Sequence, residues 1–383
     1  MKLRILILPA ILALLILYTR LSISRLFPTE EWLSWEIALS IFAIMVGSQI
    51  IYRVAGFSST NPLSKAFAWT GAVVIGAWAT FIIFSLIVDF VYLIAALWQV
   101  VPANVNEPLP YLMYKVFLGV LTISCATTAL GFFQATRGPE VKEVTIPVSS
   151  PSLAGLKIVQ LSDLHIGATI HKEYIQNVVE RAMALSPDII AITGDIADGK
   201  PADLRMHSEP LAQLKAPLGT YFITGNHEYY SGVELWLEEA KMLGFISHIN
   251  ENRIVIYNGE KILVGGVTDI TAHQFIAEHR SDPTKAIAST EATSFKLLLA
   301  HQPESCFAAE FAGFDLQLSG HTHAGQFFPF NILVKWAKRY YQGLNRHGNM
   351  WLYVNAGTGY WGAVNRFAVP SEITLIRLSL EKA

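Results

Sequence analysis

Residues 66–98, from Ala66 to Trp98, are interrupted by a charge only at Asp89, and the run is longer than the ~20 residues needed to cross a bilayer. A helix apolar on every side finds no place on an ordinary soluble domain, so this run constrains what the first third of the chain can be. Three further segments share its composition, Ile5 to Tyr18, Ile37 to Tyr52 and Tyr111 to Phe133. The first has no small-residue cleavage site after it and is followed by more apolar segments, which separates it from a secretory leader. The expectation is a four-helix transmembrane region over residues 1–137, with spans at about 5–20, 37–53, 67–98 and 111–133.

Basic residues orient such a region. Lys2 and Arg4 precede the first span, Arg53 and Lys65 flank the link between the second and third, and Arg137 and Lys142 follow the fourth, whereas the link 99–110 has none. Four spans with the N-terminus inside return the rest of the chain to the cytoplasm. This is the expectation for a multi-pass protein of the cell inner or plasma membrane. Asp89 lies where a single span begun at Ala66 would leave the bilayer and reads as interfacial.

The charged fraction of the 383-residue chain, 15%, is below the soluble average of about 25%, and that deficit is concentrated in the first third. The formal net charge of −2 offers no electrostatic case for nucleic-acid binding. Cys125 and Cys306 form no spacing motif, so neither a disulfide framework nor a zinc knuckle is indicated.

Residues 138–155 read as a polar linker with one edge strand, Glu143 to Val148. Beyond it, short Ile/Leu/Val-rich runs recur at Leu156–Leu161, Ile189–Ile192, Tyr221–Ile223, Ile262–Val264, Lys296–Leu299, Leu316–Leu318, Trp351–Val354 and Ile373–Leu378. Their length suits buried strands, and Ile175–Ala184 and Val233–Leu243 between them have helical apolar spacing. Strands alternating with helices, then strands in succession, imply a layered α/β sandwich over 156–383. No Gly-rich phosphate loop is present.

Five strand ends finish in polar residues: Ser162-Asp163-Leu164-His165, Thr193-Gly194-Asp195, Gly225-Asn226-His227-Glu228, Ala300-His301-Gln302-Pro303 and Gly320-His321-Thr322-His323. One alone would be a turn cap. Five in order form a mixed Asp/Asn/His set of the kind that holds metals in two-metal hydrolases. Gly320 is expected to let the chain turn sharply before the paired histidines.

This series resembles the calcineurin-like metallophosphoesterase superfamily. Residues 355–361 (Asn-Ala-Gly-Thr-Gly-Tyr-Trp), Arg366 and residues 370–373 (Pro-Ser-Glu-Ile) look like its branch of small, membrane-associated bacterial phosphodiesterases. The resemblance covers about Leu156 to Leu378 and implies an α/β/β/α sandwich. It also implies two divalent metals (Mn, Fe or Zn), one held by Asp163, His165, Asp195 and His323, the other by Asp195, Asn226, His301 and His321. Asp195 would bridge them, Asn226 would also meet substrate, and His227 would donate to the leaving oxygen, with Glu228 as the expected partner of its ring. Arg366 is expected either to bind phosphate or to form a structural salt bridge.

The implied activity is hydrolysis of a phosphodiester or pyrophosphate, with a lipid-linked substrate such as UDP-2,3-diacylglucosamine as a specific case. The alternatives are a broad-specificity phosphomonoesterase and a membrane sensor or scaffold on the same fold. The aromatic and basic stretch 327–341 suits either a membrane interface or packing over the sheet. His171, His207, His248, His273, His279 and His347 lack partner spacing and read as surface or packing residues.

Overall fold

The computed structural model describes residues 2–27, 29–55, 62–98, 109–289 and 291–381. They form a helical unit and a larger mixed α/β unit.

The helical unit contains α1 (Lys2–Ser24), α2 (Glu31–Ala55), α3 (Pro62–Leu97) and most of α4 (Leu109–Thr136). Three stretches, Glu31–Ser48, Pro62–Leu97 and Tyr111–Thr136, are long and apolar enough to cross a membrane, while Ile11–Ser24 of α1 is a shorter apolar helix. Three spans are thus supported among the described residues, against the four expected. At 36 residues, α3 is about 54 Å long, well beyond the ~30 Å hydrocarbon core. Asp89 near its end accepts from Tyr18 Oη (2.8 Å) and Arg25 Nη1 (2.6 Å), and the Arg25 guanidinium lies 4.4 Å over the Phe117 ring. A carboxylate among apolar helices is tolerable only when paired in this way.

The second unit holds two six-stranded sheets. The first runs in the order β1 (Glu140–Val148), β12 (Glu372–Leu380), β2 (Lys157–Leu161), β3 (Ile189–Ile192), β4 (Thr220–Phe222), β5 (Ile246–Ser247). The second runs β10 (Gly343–His347), β11 (Met350–Val354), β9 (Leu316–Ser319), β8 (Phe295–Leu299), β7 (Glu260–Gly266), β6 (Glu251–Tyr257). From β2 to β5 the strands are parallel, and helices α5 (Lys172–Ala184), α6 (Pro201–Ser208), α7 (Asn226–Ser231) and α8 (Val233–Met242) fall in their connections. The later helices are α9 (Pro283–Ile287), α10 (Cys306–Ala312) and α11 (Phe330–Ala337).

The pleat explains the layering. Ile158, Ile189, Ala191 and Tyr221 of the first sheet share one buried cluster with Val264, Leu297, Leu299, Leu316 and Tyr353 of the second. The intervening Leu263, Leu298 and Leu352 pack on the other side with Ala286 of α9 and Cys306 and Ala309 of α10. Alternate residues of a strand therefore serve different layers, and runs apolar at every position follow because both sheet faces are covered. The result is an α/β/β/α sandwich. Gln160 Nε2 of β2 donates to Ser319 O of β9 (2.9 Å), a buried polar tie between the sheets close to where both end.

Half of the expected 138–155 linker is β1, an edge strand paired in parallel with β12 along its whole length. Three strands have no counterpart in the sequence reading, β5, β6 and β10. All three lie at sheet edges, where polar side chains are tolerated and the apolar signal weakens. Cys125 and Cys306 are both free, and Cys306 is buried.

Candidate metal centre

The five polar strand ends converge. His165 Nε2 lies 3.0 Å from His323 Nε2, which is 3.4 Å from Asp163 Oδ1. His321 Nδ1 lies 3.2 Å from His301 Nε2, which is 3.1 Å from Asp195 Oδ2. The same Asp195 oxygen is 3.9 Å from His165 Nε2 and thus stands between the two groups. Ligand atoms of Asp163, His165 and His323, and separately of Asp195, His301 and His321, all lie within 4.8 Å of one another.

Two close approaches make this packing possible. A Cβ on Gly320 would meet Ser162 Oγ at 1.9 Å and Asp163 Oδ2 at 2.1 Å, and one on Gly225 would meet Asp195 Oδ1 at 2.1 Å. Gly320 is therefore required by contact with Asp163; its φ is not positive, so the turn expected there is not what calls for glycine. Left-handed backbone appears instead at the functional side chains, Asp163 (φ 54°), His165 (49°), Asp195 (54°), His321 (67°) and His323 (48°). Each such non-glycine conformation costs about 1–3 kcal/mol, and its concentration here marks a site that the rest of the fold holds in place.

The donor set fits a divalent metal. His301 Nδ1–H donates to Thr193 O (2.8 Å) and His165 Nδ1–H to Asp198 Oδ1 (2.8 Å), which leaves both Nε2 lone pairs facing the centre. Asn226 Oδ1 is buried without a hydrogen-bond partner, an unsatisfied acceptor of the kind a cation relieves. Neutral amide oxygen, imidazole and carboxylate together suit borderline divalent ions.

His227 and its surroundings differ from expectation in one respect. Its Nδ1 lies 2.7 Å from Asp198 Oδ1, so the ring is held by Asp198, not Glu228. Burial pulls the His227 pKa down, but the bond to Asp198 and the charges of Asp195, Asp198 and Glu228 outweigh it and raise it to about 9. Burial likewise pushes Asp198 up, and the two histidines overcome this and hold it at about 2. Glu228 is fully buried and accepts from the main-chain N–H of Gly225 (2.7 Å), Asp195 (2.9 Å) and Ile196 (2.8 Å), so it clamps two strand ends together. The sequence reading passed over Asp198; its signal was the second carboxylate in residues 194–199 (Gly-Asp-Ile-Ala-Asp-Gly).

Arg366 is fully buried too. Its guanidinium donates to Ala356 O (2.7 Å), His323 O (3.3 Å) and Gly359 O, and its Nη2 lies 3.0 Å from His323 Nδ1. Of the two expectations, the salt bridge is not formed among the described residues; the guanidinium braces the His323 turn from behind. The remaining histidines stand outside the cluster. His248 stacks on Tyr221, His279 and His347 bond the phenols of Tyr229 and Tyr340, His273 bonds Ile270 O, and the rings of His171 and His207 pack together.

Residues 156–325 match the calcineurin-like phosphoesterase family model. An uncharacterized metallophosphoesterase of Campylobacter jejuni is 33% identical over 298 residues, covering 77% of each chain. The chain belongs to the calcineurin-like metallophosphoesterase family. One from Helicobacter pylori is 36% identical over 254 residues (65% of this chain, 66% of that one). A Danio rerio protein named as a transmembrane protein with metallophosphoesterase domain is 38% identical over 269 residues (67% and 61%). The matched regions thus span about two thirds or less of the length of these last two metallophosphoesterase relatives.

Proposed function

We propose that this metallophosphoesterase is a membrane-anchored hydrolase of phosphodiester or pyrophosphate bonds that uses two divalent metals. The observation that carries the reading is Asp195 Oδ2, 3.1 Å from His301 Nε2 and 3.9 Å from His165 Nε2, a carboxylate placed to serve both donor groups. Asp163, His165, Asp195 and His323 would hold one ion, and Asp195, Asn226, His301 and His321 the other. Divalent metal in such a site supplies Lewis-acid polarisation of the phosphate and lowers the pKa of water. His227 keeps a proton on its ring because Asp198 holds it as imidazolium, and it gives that proton to the departing oxygen. Glu228 and Arg366 keep the strand ends and the His323 turn in register while charge redistributes. A sensor or scaffold on a decayed site would lack ligands, and here every ligand position is filled.

A lipid-linked substrate is favoured by α11, which follows the His321–His323 turn by seven residues. Phe330, Ile332, Leu333 and Trp336 are exposed on it, Trp336 by 81%, with Lys335 beside them. Phe327 and Tyr340, part of the same aromatic stretch, are buried, so the interfacial portion narrows to α11 itself. Apolar rings and a cation on one short helix suit a headgroup layer. A substrate such as UDP-2,3-diacylglucosamine belongs to the class whose tail would remain in the bilayer while its phosphate enters the centre.

The full chain in detergent should hydrolyse phosphodiesters or pyrophosphates only with Mn²⁺ or another divalent ion, and a chelator should abolish turnover. No turnover on any phosphate ester after metal loading would end the enzymatic reading. Replacing Phe330, Leu333 and Trp336 with Ser should cut turnover of a lipid-linked substrate by about tenfold or more, since one apolar side chain contributes about 1.5–3 kcal/mol when buried. A small chromogenic diester should be unaffected; equal losses on both would assign α11 a folding role. The catalytic domain is placed in the cytoplasm by this reading, and a reporter fused after Arg137 that is active only outside would reverse it.

A further inference from the structure

Two aromatic rings flank His227. Its ring centroid lies 5.2 Å from that of Tyr230 and 5.7 Å from that of Trp361, and Trp361 is also 6.5 Å from His165. Phe275 extends the group, 5.7 Å from Tyr230. These rings are not core: Tyr230 is 61% exposed, Trp361 54% and Phe275 52%. Large exposed aromatics grouped at one place mark a contact surface, since a domain of this size has ample interior for them.

The backbone under Trp361 is fixed deliberately. Gln326, three residues past His323, donates from Nε2 to Trp361 O (2.9 Å) and accepts from Trp361 N–H at Oε1 (2.7 Å). Gln326 itself is buried and in a left-handed conformation (φ 61°). A residue that only needed to be exposed would require no such clamp. The arrangement holds the indole at a set place beside the imidazole that protonates the leaving oxygen.

We infer that Tyr230 and Trp361, with Phe275 behind, form a subsite for a planar aromatic group on the leaving side of the scissile phosphate, in the chemical class of a nucleobase. An acyl chain is less well matched. Tyr and Trp each present a π face with one polar atom at the rim, which suits a flat ring carrying hydrogen-bonding edges, while α11 offers the aliphatic and aromatic surface an acyl chain would choose. The inference rests on the phosphoester reading for its location, but its test does not depend on turnover.

Binding of AMP and of ribose 5-phosphate to the Mn²⁺-loaded full chain in detergent separates the base from the phosphate. AMP should bind roughly tenfold to a hundredfold more tightly, the worth of stacking one base on aromatic side chains. Trp361→Ala should remove most of that advantage while leaving ribose 5-phosphate affinity within about twofold, and Trp361→Phe should restore much of it. Gln326→Ala, which frees the Trp361 backbone without touching the ring, should weaken AMP selectively and to a lesser degree. Equal affinity of the wild type for the two ligands would overturn the subsite. So would a parallel loss of both in Trp361→Ala, which would make the ring structural. Tight, selective AMP binding together with no hydrolysis of any ester would retain the subsite and reject the hydrolase.

Discussion

Asp195→Ala is expected to lose bound metal and turnover together, with kcat falling by about 10⁴-fold or more. Lewis-acid stabilisation is worth several kcal/mol and each 1.36 kcal/mol is tenfold in rate. The structural reason is position. Asp195 Oδ2 faces His165 and His301, while Oδ1 accepts the His227 N–H (2.9 Å), so one carboxylate organises both groups and the start of α7. Without it, the His301 and His321 nitrogens, 3.2 Å apart, face each other with no anion between, and only Asp163 stays beside the His165–His323 pair. Asp195→Asn keeps the shape and removes the charge, and it should lose metal as well. Elemental analysis of purified variants checks this; full metal content in either would show that Asp195 is not the shared ligand.

His227→Ala should separate chemistry from metal binding. His227 has a ring nitrogen within 4.8 Å of ligand atoms of His165 and Asp195, but its Nδ1 is taken by Asp198 and its Nε2 is 4.0 Å from Asp195 Oδ2. Metal content should therefore be unchanged while kcat falls about 10²–10⁴-fold, the usual worth of a positioned acid. Asp198→Asn should cost about 10–100-fold, because an outer partner that orients functional histidines typically carries that much, and Asp198 serves both His165 and His227. The test of the assignment is contrast. Glu228→Gln should lower the unfolding temperature more than it alters the His227 step, since three main-chain donors share the two carboxyl oxygens and a carboxamide offers only one acceptor oxygen. Loss of metal in His227→Ala would turn that residue into a ligand. A leaving-group dependence steepened by Glu228→Gln and not by Asp198→Asn would return ring orientation to Glu228.

Residue order alone determined much about this chain. Apolar runs that end in Asp, Asn or His are legible because a buried strand needs consecutive Ile, Leu and Val, and because ligand chemistry restricts which residues can end it. The layered fold and the strand-end places of Asp163, His165, Asp195, His301, His321 and His323 were legible in that local pattern, as were the apolar helices of the first third. Tertiary structure decided the rest. Asp198 meets His165 across 33 residues of sequence, Arg366 meets His323 across 43, and no spacing rule connects such pairs. Glu228 sits beside His227 in sequence, yet a helix start carries adjacent side chains in different directions, and the buried N–H groups of Gly225, Asp195 and Ile196 claimed it. Phe327 and Phe330 are equally apolar, but one is buried and the other exposed, because burial depends on what the fold brings against a residue and not on the residue itself.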